Sequence, residues 1–132
     1  MLATNPALSR YRAVQVTTCS PGQLLVMMYD GLLRFLDEAA VAMRAQDFAR
    51  SGEKISRAHA ILEHLNTSLD PSVDAVLADR LRSLYVFCSE QIITANIKKT
   101  PELIDETVRV LAPLREAWKT AVAEVAAVAP AR

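Results

Sequence analysis

Between Phe48 and Leu69 the residues Phe48, Ser51, Ile55, Ala58, Leu62, Leu65 and Leu69 follow one another at alternating spacings of three and four. Only an α-helix brings that pattern onto one side, as a heptad seam, while Arg50, Glu53, Lys54 and Arg57 turn to water. A helix with one apolar stripe gains most of its stability by burying that stripe, so the seam commits the chain to helix-on-helix packing. Three further segments of the same kind surround it.

The first of these is opened by Ser20-Pro21-Gly22-Gln23. The Ser20 hydroxyl caps a helix, Pro21 takes the first helical position where no N–H is needed, and Gln23 completes an S-x-x-Q capping box. A helix is expected from Pro21 to about Ala45. It carries two heptad stripes, Leu25, Met28, Leu32, Phe35, Ala39 and Ala42 on one, Val26, Tyr29, Leu33, Leu36, Ala40 and Met43 on the other. A helix that touches two neighbours in a bundle wants such a broad apolar arc, and a partner molecule would use the same excess. Gly31 interrupts this helix; an interior glycine costs about 1 kcal/mol relative to alanine, which points to another backbone or side chain coming close there. Asp30 lies in the most apolar part and needs a donor such as Arg34 or a docked arm.

Asn66-Thr67-Ser68-Leu69-Asp70-Pro71 reads as a helix end followed by a new cap at Asp70, with Pro71 in first position. The third helix then places Leu77, Leu81, Leu84, Cys88, Ile92 and Ala95 on one side, with Val86, Ile93 and Ile97 around from them, and closes on Lys98-Lys99 at the negative end of its dipole. Thr100-Pro101-Glu102 restarts the chain at once. The fourth helix aligns Leu103, Thr107, Val110, Leu114, Ala117 and Ala121, with Asp105 spaced to pair with Arg109. Pro113 removes the N–H bond to the Arg109 carbonyl and predicts a kink or a split. No strand alternation or glycine-rich loop competes. The expectation is an all-α, antiparallel up-down-up-down four-helix bundle with a short N-terminal arm: residues 1–19 as the arm, 20–125 as the bundle and 126–132 as a frayed tail, in one domain. The arm, with Leu8, Tyr11, Val14 and Val16 weakly amphipathic, is too short for a stable helix and must dock to be ordered.

Fifteen basic and fifteen acidic residues cancel and are interspersed, with no Lys/Arg stripe carrying aromatics between its members, so nucleic acid and anionic membranes are poor partners. The longest uninterrupted apolar run, Leu24 to Tyr29, is far too short to span a bilayer, and the N-terminus lacks a basic start followed by an apolar run; a cytoplasmic location is expected. Cys19 and Cys88 fit no CxxC or CxxCH pattern and read as small apolar residues without a disulfide. Neither His59 nor His64 belongs to a Glu-x-x-His pair, and His59 with Glu63 is an ordinary surface spacing. Asp30, Asp70, Asp74, Asp79 and Asp105 read as caps or ion-pair partners. No catalytic residue, metal site or cofactor is expected, and the protein is read as a non-enzyme.

Tyr11, Gln15-Val16, Thr18, Ser20-Pro21, Leu24-Leu25 and Met28-Tyr29-Asp30-Gly31 resemble, in order and spacing, the tyrosine, QV, TxSP, LL and hydrophobic-YDG signatures of the FliS family of flagellar export chaperones. Leu69-Asp70, Leu84-Tyr85, Asn96 and Leu114-Arg115-Glu116-Ala117-Trp118 extend the resemblance over nearly the whole chain. It implies a helical bundle that binds the disordered C-terminal segment of flagellin in the cytosol, prevents premature polymerisation and presents the client to the type III export gate. A co-chaperone is a further candidate partner. It also implies that the arm around Leu8 and Tyr11 covers part of the client groove and is displaced. The candidate partner-binding residues are thus Leu8, Tyr11 and Val16 in the arm and Val26, Tyr29, Asp30 and Leu33 on the first helix. Here the Tyr29 stripe is assigned to the client, because a phenol hydroxyl needs a partner or water, and the Leu32 stripe to the core. A monomer or weak homodimer is expected; the alternative function is a structural helical-bundle homo-oligomer without a client.

Overall fold

Ser20 and Gln23 exchange hydrogen bonds as the capping box requires: Gln23 N donates to Ser20 Oγ at 3.0 Å and Ser20 N to Gln23 Oε1 at 2.9 Å. They launch α1, Pro21–Arg44, the first of four helices in a computed structural model that describes residues 20–128. The others are α2, Phe48–Thr67, α3, Ala75–Lys98, and α4, Pro101–Val128. The arm residues Leu8, Tyr11, Val16 and Cys19 lie outside the described residues, as do residues 129–132. Each helix packs on the next, and α4 closes back on α1, so α1 and α3 stand on one diagonal and α2 and α4 on the other. This is the all-α four-helix bundle expected from the sequence.

The turns are short because the helix ends close on themselves. After α1, Gln46 takes a left-handed conformation (φ 60°), its N–H bonds to the Met43 carbonyl and that of Asp47 to the Ala42 carbonyl, a Schellman ending that leaves Asp47 free to cap α2 through Arg50 N at 3.2 Å. Lys99 does the same after α3 (φ 53°), with Thr100 N returning to the Ala95 carbonyl.

Two local expectations are corrected and a third is narrowed. Asp70 does not cap α3: its carboxylate accepts from Ser72 N at 3.0 Å and from Ser72 Oγ, and Val73 N bonds its carbonyl, so Asp70-Pro71-Ser72-Val73 is a turn. Proline suits the second position of such a turn as well as the start of a helix, and Asp74, which accepts from Leu77 N at 3.0 Å, is the cap instead. Pro113 does not split α4. It lies on the exposed side of the helix, as does Arg109, whose carbonyl it leaves without an N–H donor. Asp105 pairs with Arg44 from the end of α1 rather than with Arg109, because tertiary packing brings a guanidinium fork to both its oxygens.

The core runs along the bundle axis through Tyr29, Leu32, Leu36 and Ala39 of α1, Ile55, Ala58, Leu62 and Leu65 of α2, Leu81, Tyr85, Cys88 and Ile92 of α3, and Ile104 and Leu111 of α4. The α2 seam is thus the one read from the sequence, save that Phe48 is exposed. In α4 the buried line is Ile104, Thr107 and Leu111, flanked by half-buried Leu103, Val110 and Leu114. The apolar arc there is split between two neighbours, so the spacing alone does not fix its centre.

Burial pushes the Cys88 thiol up to about 11 from an ordinary 9.0. A raised thiol binds its proton more tightly in the folded chain, so folding stability is complete below pH 9 and falls as pH rises from 9 to 11. The loss should reach roughly 2 kcal/mol at the upper end, at about 1.4 kcal/mol per unit. Urea titrations across this range should follow that slope, and Cys88→Ala should remove this component; an unchanged slope in the variant would refute the assignment.

Candidate partner-binding surfaces

The triplet Tyr29-Asp30-Gly31 points in three directions, since successive helical residues are about 100° apart. Tyr29 turns inward across the diagonal, and its hydroxyl lies 2.7 Å from that of Tyr85 on α3, with the rings tilted at 58°. Asp30 turns to α4, where Arg115 Nε donates to Oδ1 at 2.7 Å. Gly31 turns to α2, where Ile61 is the nearest side chain. One motif of three residues therefore ties α1 to each of the other helices.

This corrects two readings of the triplet. Tyr29 is not at a wet face: it is fully buried, and its hydroxyl is paired with that of Tyr85. Burial raises the Tyr29 phenol, opposed by the hydrogen bond from Tyr85 and by the indole N–H of Trp118. Tyr85 is pushed up further, by burial and by the bond it shares with Tyr29. Both phenols stay neutral at any ordinary pH. The donor to Asp30 is Arg115, not Arg34; Arg115 also binds Glu116 at 2.6 Å, and its guanidinium is raised by these carboxylates, Asp30 first. No spacing within α1 could have named a partner 85 residues away. Tyr85, Arg115 and Trp118 are among the residues that carry the resemblance, but only the fold gives them roles.

The two α1 stripes do not divide into a buried one and an exposed one. Leu32, Ala39 and Ala42 of one and Tyr29, Leu36, Ala40 and Met43 of the other are all buried, while Leu25, Met28 and Phe35 share with Val26 and Leu33 an intermediate exposure. The broad arc is mostly what a helix between two neighbours and a diagonal needs.

Surplus apolar surface appears elsewhere. On α3, Val86, Ile93 and Ile97 form an outward stripe, with Ile97 73% exposed, and Val76 and Phe87 are also open. At the end of the bundle where α1 begins, a cleft of about 230 Å³ is lined by Leu25, Leu65, Leu69, Leu77, Tyr85 and Trp118. The Trp118 indole Nε1 beside it is buried and makes no hydrogen bond of ordinary geometry; the Tyr29 hydroxyl is the oxygen that its N–H approaches. Among the described residues no three His, Cys, Asp or Glu side chains gather as a metal site, and His59 with Glu63 at 3.7 Å is an isolated pair. No helix there is long and apolar enough to cross a membrane.

The profile of the family described as "Flagellar protein FliS" matches residues 3–125. The "Flagellar secretion chaperone FliS" of Bacillus subtilis is 30% identical over 122 residues, covering 92% of this chain and 90% of that protein. The protein of the same name from Campylobacter jejuni is 31% identical over 118 residues, covering 89% and 92%. A solved structure titled "Crystal structure of flagellar chaperone from bacteria" superposes with a TM-score of 0.75 at 24% identity, over 89% of this chain and 96% of that one, and so shares the fold. With a profile match over nearly its whole length, relatives covered almost end to end and the Ser-Pro and Tyr-Asp-Gly signatures in place, the chain belongs to the FliS family of flagellar export chaperones.

Proposed function

We propose that the protein binds the disordered C-terminal segment of flagellin in the cytosol, holds it back from premature polymerisation and delivers it export-competent, without catalysing a reaction. The observation that carries this reading is the apolar surface left open on a bundle otherwise well packed: the cleft at the head of α1 and the Val86, Ile93 and Ile97 stripe. Exposed apolar patches of this kind suit a client that folds as it binds, burying its own apolar faces in grooves between helices. Because the cleft lies beside Leu25, close to where residues 1–19 join α1, we assign Leu8, Tyr11 and Val16 to its cover in the client-free state, with half-buried Val26 and Leu33 as contacts on the helix. Calorimetry with full-length flagellin and with flagellin lacking its C-terminal segment tests the reading. Binding should vanish on truncation, and the complex should gain helical circular dichroism beyond the sum of its parts. Equal affinity for the two would refute it. A concentration-dependent mass that flagellin leaves unchanged would favour the homo-oligomer instead.

A further inference from the structure

The buried residues of α4, Ile104, Thr107 and Leu111, all precede Pro113. Beyond it, residues 114–128 contain none: Leu114, Trp118 and Val122 are half-buried, and Val125 and Val128 are 66% and 81% exposed. The helix runs on unbroken, but its anchorage changes at the proline.

The first part of α4 is tied to both neighbours. Arg44 at the end of α1 pairs with Asp105, and Gln91 Nε2 on α3 donates to Glu106 Oε2 at 3.3 Å. Among the described residues, the polar ties of the second part to other helices run to α1 alone. Arg115 Nε donates to Asp30 Oδ1 at 2.7 Å, and the Trp118 N–H approaches the Tyr29 hydroxyl. Asp30 is exposed, and an ion pair so placed adds little stability. Val122 packs directly on the α1 backbone, where a Cβ on Gly22 would come within 2.7 Å of its Cγ2. Pro113 stands at the junction and gives the Arg109 carbonyl no N–H, so the hydrogen-bond ladder that would couple the two parts lacks a rung. Segments with few buried apolar side chains open at a lower free energy than the core they adjoin. Once off α1, a helix of this length is marginal in water, so detachment and unwinding go together.

We propose that α4 beyond Pro113 is a strap that opens from α1 as one unit, hinged at Pro113 and latched by Arg115 on Asp30, while residues 101–112 stay in the bundle. Trp118 belongs to the wall of the cleft at the head of α1, together with Leu25 and Tyr85, so the open strap leaves a wider apolar groove there. That the widened groove serves a client rests on the chaperone reading above; the opening itself does not.

Native-state hydrogen exchange of the full chain without any partner, followed residue by residue in low urea, tests the strap. Amides 118–124 should exchange about a hundredfold faster than those of 104–111 and share one urea dependence. Asp30→Asn should speed this group several-fold and leave 104–111 and α2 unchanged. Pro113→Ala restores the missing rung and should slow the group about tenfold. Trp118, the only tryptophan in the chain, gives a second readout: its fluorescence should shift at lower urea than the main circular dichroism transition. Exchange at 118–124 as slow as at 104–111, with fluorescence and dichroism moving together, would overturn the strap and leave the chaperone reading intact. Protection that declines residue by residue toward Val128, without a common urea dependence, would mean end fraying and overturn the single unit. An unchanged rate in Asp30→Asn would remove the latch and in Pro113→Ala the hinge, and either result would overturn the device as proposed.

Discussion

Leu32→Ala should lower the free energy of unfolding by roughly 2–5 kcal/mol, as truncation of a leucine in a packed core does, whereas Leu33→Ala, one position along, should cost clearly less. Leu32 has no exposed surface and belongs to the core cluster to which all four helices contribute; Leu33 keeps part of its surface in water and packs against that cluster. The cost of a cavity depends on whether neighbours relax into it, and at Leu32 the surrounding side chains are held on every side. Urea unfolding of the two variants against the unmutated chain, monitored by circular dichroism, measures the difference. Equal losses would mean that Leu33 is as enclosed as Leu32, and the rotation of α1 described above would have to be revised.

The second large effect lies at the hydroxyl pair. Tyr29→Phe and Tyr85→Phe should each cost about 1–3 kcal/mol, because each leaves the other hydroxyl buried without its partner. The double substitution should cost well under the sum, since it removes both polar groups and leaves two rings of nearly unchanged shape. A double-mutant cycle therefore reads the pair directly. Additive losses would show that the two hydroxyls do not depend on one another, and that each finds a further partner such as the Trp118 indole.

Much of the fold was legible because it is written in short-range patterns. The capping box at Ser20, the α2 seam from Ser51 to Leu65 and the restart at Thr100-Pro101 are decided by residues within four positions of one another, and they appear as expected. The Asp70 misreading arose where one dipeptide, Asp-Pro, has two local meanings, and the choice fell to the next residues, Ser72 and Asp74. What lay beyond the sequence was rotation: which part of a wide apolar arc meets a diagonal neighbour. Tyr29 was assigned to water on the sound ground that its hydroxyl needs a partner, but that partner is a second tyrosine 56 residues on. The open apolar stripe of α3 was visible as Val86, Ile93 and Ile97 lying around from the core line, though nothing in the spacing said that none of the four described helices covers it.

The three-way division of Tyr29, Asp30 and Gly31 also bears on how such a chain tolerates changes in length. One residue inserted between any two of them would turn the rest of α1 by about 100° and exchange the helices that the side chains address, placing a carboxylate toward the core or a phenol toward solvent. No single neighbour could repair that, because the three partners sit on three separate helices. Added residues in the turn at Asp70–Asp74, by contrast, leave every helical phase as it was and cost only a little loop entropy. Insertions and deletions compatible with this bundle should therefore collect between helices, while the interval from Ser20 to Gly31 stays constant in length.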